Sequence, residues 1–453
     1  MRNSGIMISV NKNAKLDIQL VSESDYIDKK INYLKLVIES AILATMILFG
    51  TLNPLFMIAA FFIGIVAILR NPIKYTGCLI LFLLPMAGIF KLSPESMSLF
   101  TFWEFFLILY WFYLKHFVVN KLEMGALGFI GYLFCVEAAN GVLAINANIK
   151  LVAGCLILLL FMQLGYEKMY KPVFLSYILG YIASSFFRLL DGKPFAISAF
   201  VMAKETRVGL DYFNRFSGLY GDPNYYCINI IIALILVAIL LRNRKIKLYT
   251  AIIIAIPLFY FAALTNSKSA FLMLIVPAGL FIKVFWDRRS YVLFVFSIIT
   301  VIIFTLLVFS GKISLFSVVL ERLSMGRSMG LDSLTTDRSA IWRNYFSYFN
   351  TNLLSDLFGR GLGYITLNNA AAHNTYIDLL YQLGIVGTFW LMGVIIGGFK
   401  RYRTNYNRSI VNYGVIICIA AMYFFLSELQ FWDPPFHFVI CFIALNIDFK
   451  NIE

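Results

Sequence analysis

The chain has 453 residues, of which 60% are hydrophobic and 14% charged, with a mean hydropathy of +0.81. So little charge cannot cover a soluble fold of this size, and the same figures exclude a disordered chain and a small disulfide-stapled domain. Lys and Arg outnumber Asp and Glu by 38 to 24, a net charge of +14, yet the bases lie between long apolar runs. A nucleic-acid protein would gather them on one polar face, so they read as orientation signals for membrane helices.

Residues 1–32 are polar, lack an apolar signal core and end in Lys29 and Lys30 before the first apolar run. They read as a cytosolic tail rather than a cleavable signal. Fourteen runs follow that suit membrane helices: 33–51, 54–69, 75–90, 99–119, 124–144, 150–166, 172–190, 224–241, 248–264, 269–285, 291–309, 375–399, 409–427 and 435–448. Several are near the lower limit for a span of ~20 residues, so the expected count is 12–14. The runs are too long, and alternate too little, for a membrane barrel. The fold class expected is an all-α polytopic membrane protein.

Alternate connections separate the charges. Connections 70–74, 115–121, 167–171, 242–247, 283–289 and 400–408 together carry 17 Lys and Arg. The opposite short connections carry only Lys91 and Lys268. The positive-inside rule then places both termini in the cytosol and the two long connections, 191–223 and 310–374, outside. The organisation expected is a tail (1–32), helices 1–7 (33–190), a first external loop (191–223), helices 8–11 (224–309), a large external loop (310–374) and helices 12–14 with a short cytosolic tail (375–453). The six cysteines, Cys78, Cys135, Cys155, Cys227, Cys418 and Cys441, lie in apolar runs without Cys-x-x-Cys spacing and read as small packing residues.

The external loops hold what the helices cannot. The first ends in Arg215-Phe216-Ser217-Gly218-Leu219-Tyr220-Gly221-Asp222-Pro223-Asn224, where Asp222 and Pro223 fit an N-cap and first helical residue. In the second, Ile341, Trp342, Tyr345, Phe346 and Phe349 recur at helical spacing, as in a short amphipathic helix at a headgroup plane. Gly359-Arg360-Gly361-Leu362-Gly363 then gives a turn whose N–H groups can approach an anion, and His373-Asn374 precede helix 12. The loops' arginines fit either contact with lipid phosphates or a cluster gripping a pyrophosphate, which guanidinium forks bind bidentately. No Asp-x-Asp stands in either loop, so neither a metal nor another cofactor is expected. His373 fits a structural histidine or a general base working near neutral pH, with Asp378 one turn on to orient it. Glu104, Glu137, Asp378 and Glu428, with Glu39 the exception, fall in the outer halves of their helices, as expected of an outward polar cavity or of helix–helix hydrogen bonds.

At these residues the sequence resembles the O-antigen polymerase and O-antigen ligase superfamily of bacterial membrane proteins, over about residues 210–400, with Wzy-type polymerases the favoured branch. The resemblance rests on Arg-x-x-Gly-x-x-x-Asp-Pro-Asn (Arg215, Gly218, Asp222, Pro223, Asn224). It continues in Leu264-Thr265-Asn266-Ser267-Lys268-Ser269-Ala270, similar to the family's Thr-x-Ser-Arg-Gly stretch but with Lys268 and Ser269 in place of Arg and Gly. The large loop with Arg338 and Trp342 follows, then Gly-x-Gly, His373-Asn374-x-Tyr376 and Gly384-x-x-Gly387.

The resemblance implies glycosyl transfer from a polyprenyl-diphosphate-linked oligosaccharide in the bacterial cytoplasmic (inner) membrane, at a site facing the periplasm or exterior. The base would be His373 and the diphosphate binders Arg215 and Arg338, with Arg360 and Lys268 as further candidates. Asp222, Asn224, Asn374, Tyr376 and Asp378 would support them. For a polymerase making O-antigen, capsule or exopolysaccharide, the acceptor is a second lipid-linked repeat unit. For a ligase it is a sugar on the lipid A core of lipopolysaccharide. Membrane lipid, a chain-length regulator and a flippase are the expected partners, and nucleic acid is not. A lipid-linked oligosaccharide flippase is the alternative of another class, but it should concentrate positive charge among its helices rather than in loops.

Overall fold

The computed structural model describes residues 4–8, 18–22, 31–114, 119–141, 144–192, 194–201, 204–208, 211–267, 273–287, 338–349, 351–362, 372–401, 410–424 and 433–447. Seven helices open the bundle: α1 (Tyr33–Gly50), α2 (Pro54–Arg70), α3 (Ile73–Leu83), α4 (Leu99–Leu114), α5 (Lys121–Asn140), α6 (Ile145–Gln163) and α7 (Tyr170–Leu189). A short α8 (Ile197–Phe200) leads to α9 (Pro223–Arg242), α10 (Leu248–Leu264) and α11 (Ile275–Asp287). The last group is α12 (Arg338–Tyr348), α13 (Leu353–Phe358), α14 (Thr375–Arg401), α15 (Ile410–Tyr423) and α16 (Asp433–Leu445).

Each of the fourteen apolar runs coincides with a helix except 291–309, which lies outside the described residues. Five helices are long and apolar enough to cross a membrane: Tyr33–Gly50, Lys121–Asn140, Tyr166–Leu189, Pro223–Arg242 and Thr375–Arg401. The other apolar helices run 10–17 residues. Starts follow local chemistry. Asn32 accepts from Lys35 N–H at α1, and Asn53 accepts from Leu55 N–H ahead of Pro54 at α2.

Two short antiparallel hairpins accompany the helices. One pairs β1 (Ser4–Ile8) with β2 (Ile18–Ser22), and the other pairs β3 (Lys204–Val208) with β4 (Asp211–Arg215). The helical reading of the sequence did not foresee either. In the second, Thr206, Val208, Tyr212 and Phe213 supply the β-branched and aromatic residues that favour strands.

Helix α9 lies at the centre. It is apolar all round, every residue from Tyr225 to Leu241 is buried, and it packs on α7, α10, α11 and α15. Its one interior amide, Asn229, links α9 to two neighbours directly and to a third through His437. Asn229 Oδ1 accepts from Tyr177 OH of α7 at 2.7 Å and faces His437 Nε2 of α16 at 2.7 Å. An amide oxygen only accepts, so His437 carries its proton on Nε2, and its Nδ1 accepts from Tyr423 OH of α15 at 3.0 Å. His437 is thus a buried structural link. Interhelical hydrogen bonds in membrane bundles are worth about 0.6–1.7 kcal/mol each, so Asn229→Leu should cost about 1–3 kcal/mol. A lower thermal midpoint of the purified protein reads this; an unchanged one would mean the link contributes nothing.

All six cysteines are unpaired. Cys78, Cys227, Cys418 and Cys441 are buried between helices as expected, whereas Cys155 is half-buried and Cys135 is exposed.

Candidate functional site

The first cluster forms where β4 runs into α9. Asp222 is the N-cap, its Oδ1 accepting from Asn224 N–H at 2.8 Å, and Pro223 supplies the first helical residue. This fixes Asn224 at the helix mouth. Asn224 Oδ1 accepts from Arg215 Nη2 at 3.1 Å and from Ser267 Oγ at 2.7 Å, while Arg215 Nε donates to the Thr265 carbonyl at 2.9 Å. Phe216 N–H donates to the Leu264 carbonyl at 3.2 Å. Two sequence motifs fifty residues apart therefore make one unit. Arg215 is only 8% exposed, and these two bonds orient its guanidinium through a backbone carbonyl and an amide oxygen. Gly218 holds the turn at φ 54°, where an added Cβ would run into the Tyr226 ring. Lys268, next to Ser267, lies outside the described residues.

The second cluster surrounds His373. Asn374 caps α14, its Oδ1 accepting from Tyr376 N–H at 3.0 Å and Ile377 N–H at 3.2 Å. Asp378, one turn in, reaches back so that its Oδ1 accepts from Ala372 N–H at 3.4 Å. The half-buried His373 stands at the apex of this closed turn with φ 50°, a left-handed conformation that costs a residue with a Cβ about 1–2 kcal/mol. Asp378 thus shapes the backbone turn on which His373 stands.

Helix α12 is fastened to the same turn. Trp342 Nε1 donates to the Ala372 carbonyl at 2.8 Å, and its ring meets Phe424 edge-on at 5.2 Å. Tyr345 packs edge-on against Tyr381 at 5.0 Å, beside Ala372 and Ile377. Arg338 opens α12 four residues before Trp342, so both sit on one face of the helix, and that face is tied to the residue preceding His373.

Arg360 is held within the protein. Its guanidinium lies 4.4 Å over the Tyr381 ring, and Nη2 reaches the Tyr348 carbonyl at 3.2 Å and Asp356 Oδ1 at 3.3 Å. The residue is 7% exposed. It clamps α12, α13 and α14 together. The adjoining glycines permit a close backbone approach: Arg360 and Gly361 N–H both donate to the Gln382 carbonyl, and Gly384 interrupts α14 at φ 66°. An added Cβ on Gly384 would collide with Gly359 N and Leu357 O. Glu137 of α5 accepts from Leu362 N–H at 3.2 Å and pairs with Asn148 of α6, so the glycine loop is anchored on that side too.

The two clusters stand at the same end of the bundle. Tyr376 OH donates to the Ala420 carbonyl of α15 at 2.9 Å, and Trp342 meets Phe424 just beyond that helix. The neighbouring Tyr423 reaches α9 through His437 and Asn229, less than two turns from Asn224. The structure thus joins Arg215 with Asp222, Asn224 and Ser267, and joins His373 with Asn374, Asp378, Trp342 and the helix of Arg338. Sequence reading missed Thr265 as the Arg215 acceptor, because a backbone carbonyl leaves no side-chain signal. It also missed Asp356 and Tyr381 as partners of Arg360, although Asp356 at i−4 was a legible cue. Among the described residues no group of His, Cys, Asp and Glu is arranged to hold a metal ion.

Residues 253–392, about a third of the chain, match a family model described as O-antigen ligase. That segment contains Thr265, Ser267, Arg338, Arg360, His373 and Asp378, and begins well after Arg215, Asp222 and Asn224. Over that segment the chain is similar to this family, and its apolar helices fit a multi-pass membrane protein. No curated protein and no solved structure matches it.

Proposed function

We propose that this protein polymerises polyprenyl-diphosphate-linked oligosaccharide repeat units into surface polysaccharide. The site is the bundle end bearing Arg215, Arg338 and His373, and it faces outward across a bacterial cytoplasmic membrane in a fourteen-span topology with both termini in the cytosol. One observation carries the reading: the Trp342–Ala372 hydrogen bond fixes the helix that Arg338 opens against the turn that presents His373. Arg215, oriented through a backbone carbonyl and an amide oxygen at the N-terminus of α9, adds a second cation beside a helix dipole that also favours anions.

The chemistry is transfer of a glycosyl group. The anomeric C–O bond to the diphosphate breaks, its electron pair goes to the leaving diphosphate, and the acceptor hydroxyl oxygen forms the new bond. Arg215 and Arg338 stabilise the charge that grows on the diphosphate. His373 takes the hydroxyl proton on a ring nitrogen. Arg360 supports by position, Lys268 is the remaining candidate cation, and Asp222, Asn224, Asn374, Tyr376 and Asp378 fix the backbone or its caps.

The matched family's description favours a second reading, ligation of finished polymer to lipid A core. Gene deletion separates the two. A polymerase leaves surface glycan of single repeat units, whereas a ligase leaves no attached polymer. Long chains retained at the surface would overturn both.

A further inference from the structure

Helix α14 is two helices joined at Gly384, whose φ of 66° and ψ of −179° interrupt the hydrogen-bond ladder. The part after the break is fastened to α5. Trp390 Nε1 donates to the Gly125 carbonyl at 2.9 Å, and an added Cβ on Gly128 would run into the Trp390 ring. The part before the break, residues 375–383, is an arm whose free end is capped by Asn374 and carries His373. At 1.5 Å rise per residue the arm is about 13 Å long, so a tilt of about 5° at Gly384 moves the His373 turn about 1 Å. Misplacement on that scale can cost about 10²-fold in rate.

A helix break leaves carbonyls without helical partners, and here two sources supply the donors. Arg360 and Gly361 N–H of the glycine loop donate to the Gln382 carbonyl at 3.1 and 2.9 Å. The Tyr132 hydroxyl of α5 donates to the Leu383 carbonyl at 2.7 Å and shares the bond with the Phe358 carbonyl at 2.6 Å. One hydroxyl thus ties α5 to the end of α13 and to the last carbonyl before the break. The Tyr132 ring lies 5.7 Å from that of Trp390 and against Gly387, where an added Cβ would come within 2.5 Å of it. Two more residues of α5 hold the loop: Asn140 Nδ2 donates to the Gly359 carbonyl at 3.4 Å, and Glu137 Oε1 accepts from Leu362 N–H at 3.2 Å. Gly359 N–H donates to the Ser355 carbonyl, so the loop's N–H groups from Gly359 to Leu362 are all taken within the protein. The loop splices helices and does not have the free N–H groups that its glycines suggested for an anion.

We propose that Tyr132 is a positioning residue for glycosyl transfer: its hydroxyl sets the angle of the arm at Gly384, and so the place of His373 relative to the rest of the bundle. This rests on His373 acting as the base, as proposed above. Tyr376 OH on the Ala420 carbonyl steadies the far end of the arm, and Tyr132 with the loop fixes the near end. Tyr132 lies outside the matched segment 253–392.

The test compares full-length parent and Tyr132→Phe, purified and supplied with lipid-diphosphate repeats. Phe keeps the ring against Gly387 and Trp390 and removes only the hydroxyl. kcat should fall about 10–100-fold with KM within about twofold, and the pH profile of kcat/KM should keep its acid limb because the base is intact. A hydroxyl that only stabilises the fold would lower the thermal midpoint and leave kcat per folded molecule unchanged. Position is read apart from activity by the spin-label distance between Cys135, exposed on α5, and Asn344→Cys, at an exposed site of α12, in protein carrying Cys155→Ser. Helix α12 travels with the arm through Trp342 and Tyr345, so in Tyr132→Phe the distance should shift or spread by about 1 Å or more. Should Tyr132→Phe fail to fold, Asn140→Ala removes the longest of the same contacts and should lower kcat about threefold with a label change of the same kind. An unchanged kcat, or a lowered kcat at an unchanged label distance, would overturn the proposal. It fails separately from the reading it rests on: a fully active His373→Asn removes the base, whereas Tyr132→Phe matching the parent beside an inactive His373→Asn removes the brace alone.

Discussion

His373→Asn should cut glycosyl transfer by about 10²–10⁴-fold, the usual contribution of a positioned general base, while leaving the thermal midpoint within a degree or two. The substitution is chosen for its backbone. His373 sits at φ 50°, and Asn tolerates the left-handed region better than other residues with a Cβ. Asn therefore fits the turn held by Asn374 and Asp378 but cannot accept a proton near neutral pH. His373→Gly supplies the complementary control. It relieves the left-handed strain, so stability should rise by up to about 1 kcal/mol while transfer stays lost. A purely structural histidine predicts the opposite pairing, with activity following stability in both variants. Transfer assayed with purified protein on lipid-diphosphate repeats, beside a melting curve, distinguishes them. Activity within threefold of the parent in His373→Asn would remove the base from the mechanism.

The sequence was most informative where a single residue type answers a single physical need. Asp222-Pro223 declared a helix start because few other pairs cap a helix and open it, and the structure has that start. The apolar runs declared helices because ~20 apolar residues in a row have few other uses, and all but the run outside the described residues coincide with one. Arg215 and Asn224 were legible as a motif, but their bond was not, because spacing along a chain does not say which acceptor a guanidinium turns to. The hairpin ending at Arg215 was hidden for a related reason: Lys204, Glu205 and Asn214 dilute the strand signal of their neighbours. Arg360 shows the limit most plainly. By type and loop it resembles a phosphate ligand, yet Tyr381, Asp356 and the Tyr348 carbonyl occupy it, and only three-dimensional packing reveals those partners.

The charge on Arg215 can be tested without moving its side chain. Asn224 Oδ1 accepts from both Arg215 Nη2 and Ser267 Oγ, and a carboxylate oxygen at the same place accepts equally well. Asn224→Asp should therefore keep the geometry and replace one neutral hydrogen bond with an ion pair at about the same distance. Such charge-assisted bonds are roughly twice as strong as neutral ones, so the fold should be as stable as the parent or more so. If Arg215 serves only to fasten β4 to α9 and to the Thr265 segment, activity should be unchanged or improved. If its role is to receive the diphosphate, the new carboxylate cancels the charge the substrate needs and sets a negative group beside an anionic leaving group. Transfer should then fall about 10²–10³-fold, the scale of losing one electrostatic contact to a developing oxyanion. Ser267→Ala completes the comparison: it removes one donor to Asn224 and leaves the Arg215 charge intact, so it should reduce stability modestly and transfer little. A stable, fully active Asn224→Asp protein would leave Arg215 as a fastening and shift the diphosphate to Arg338 and Lys268.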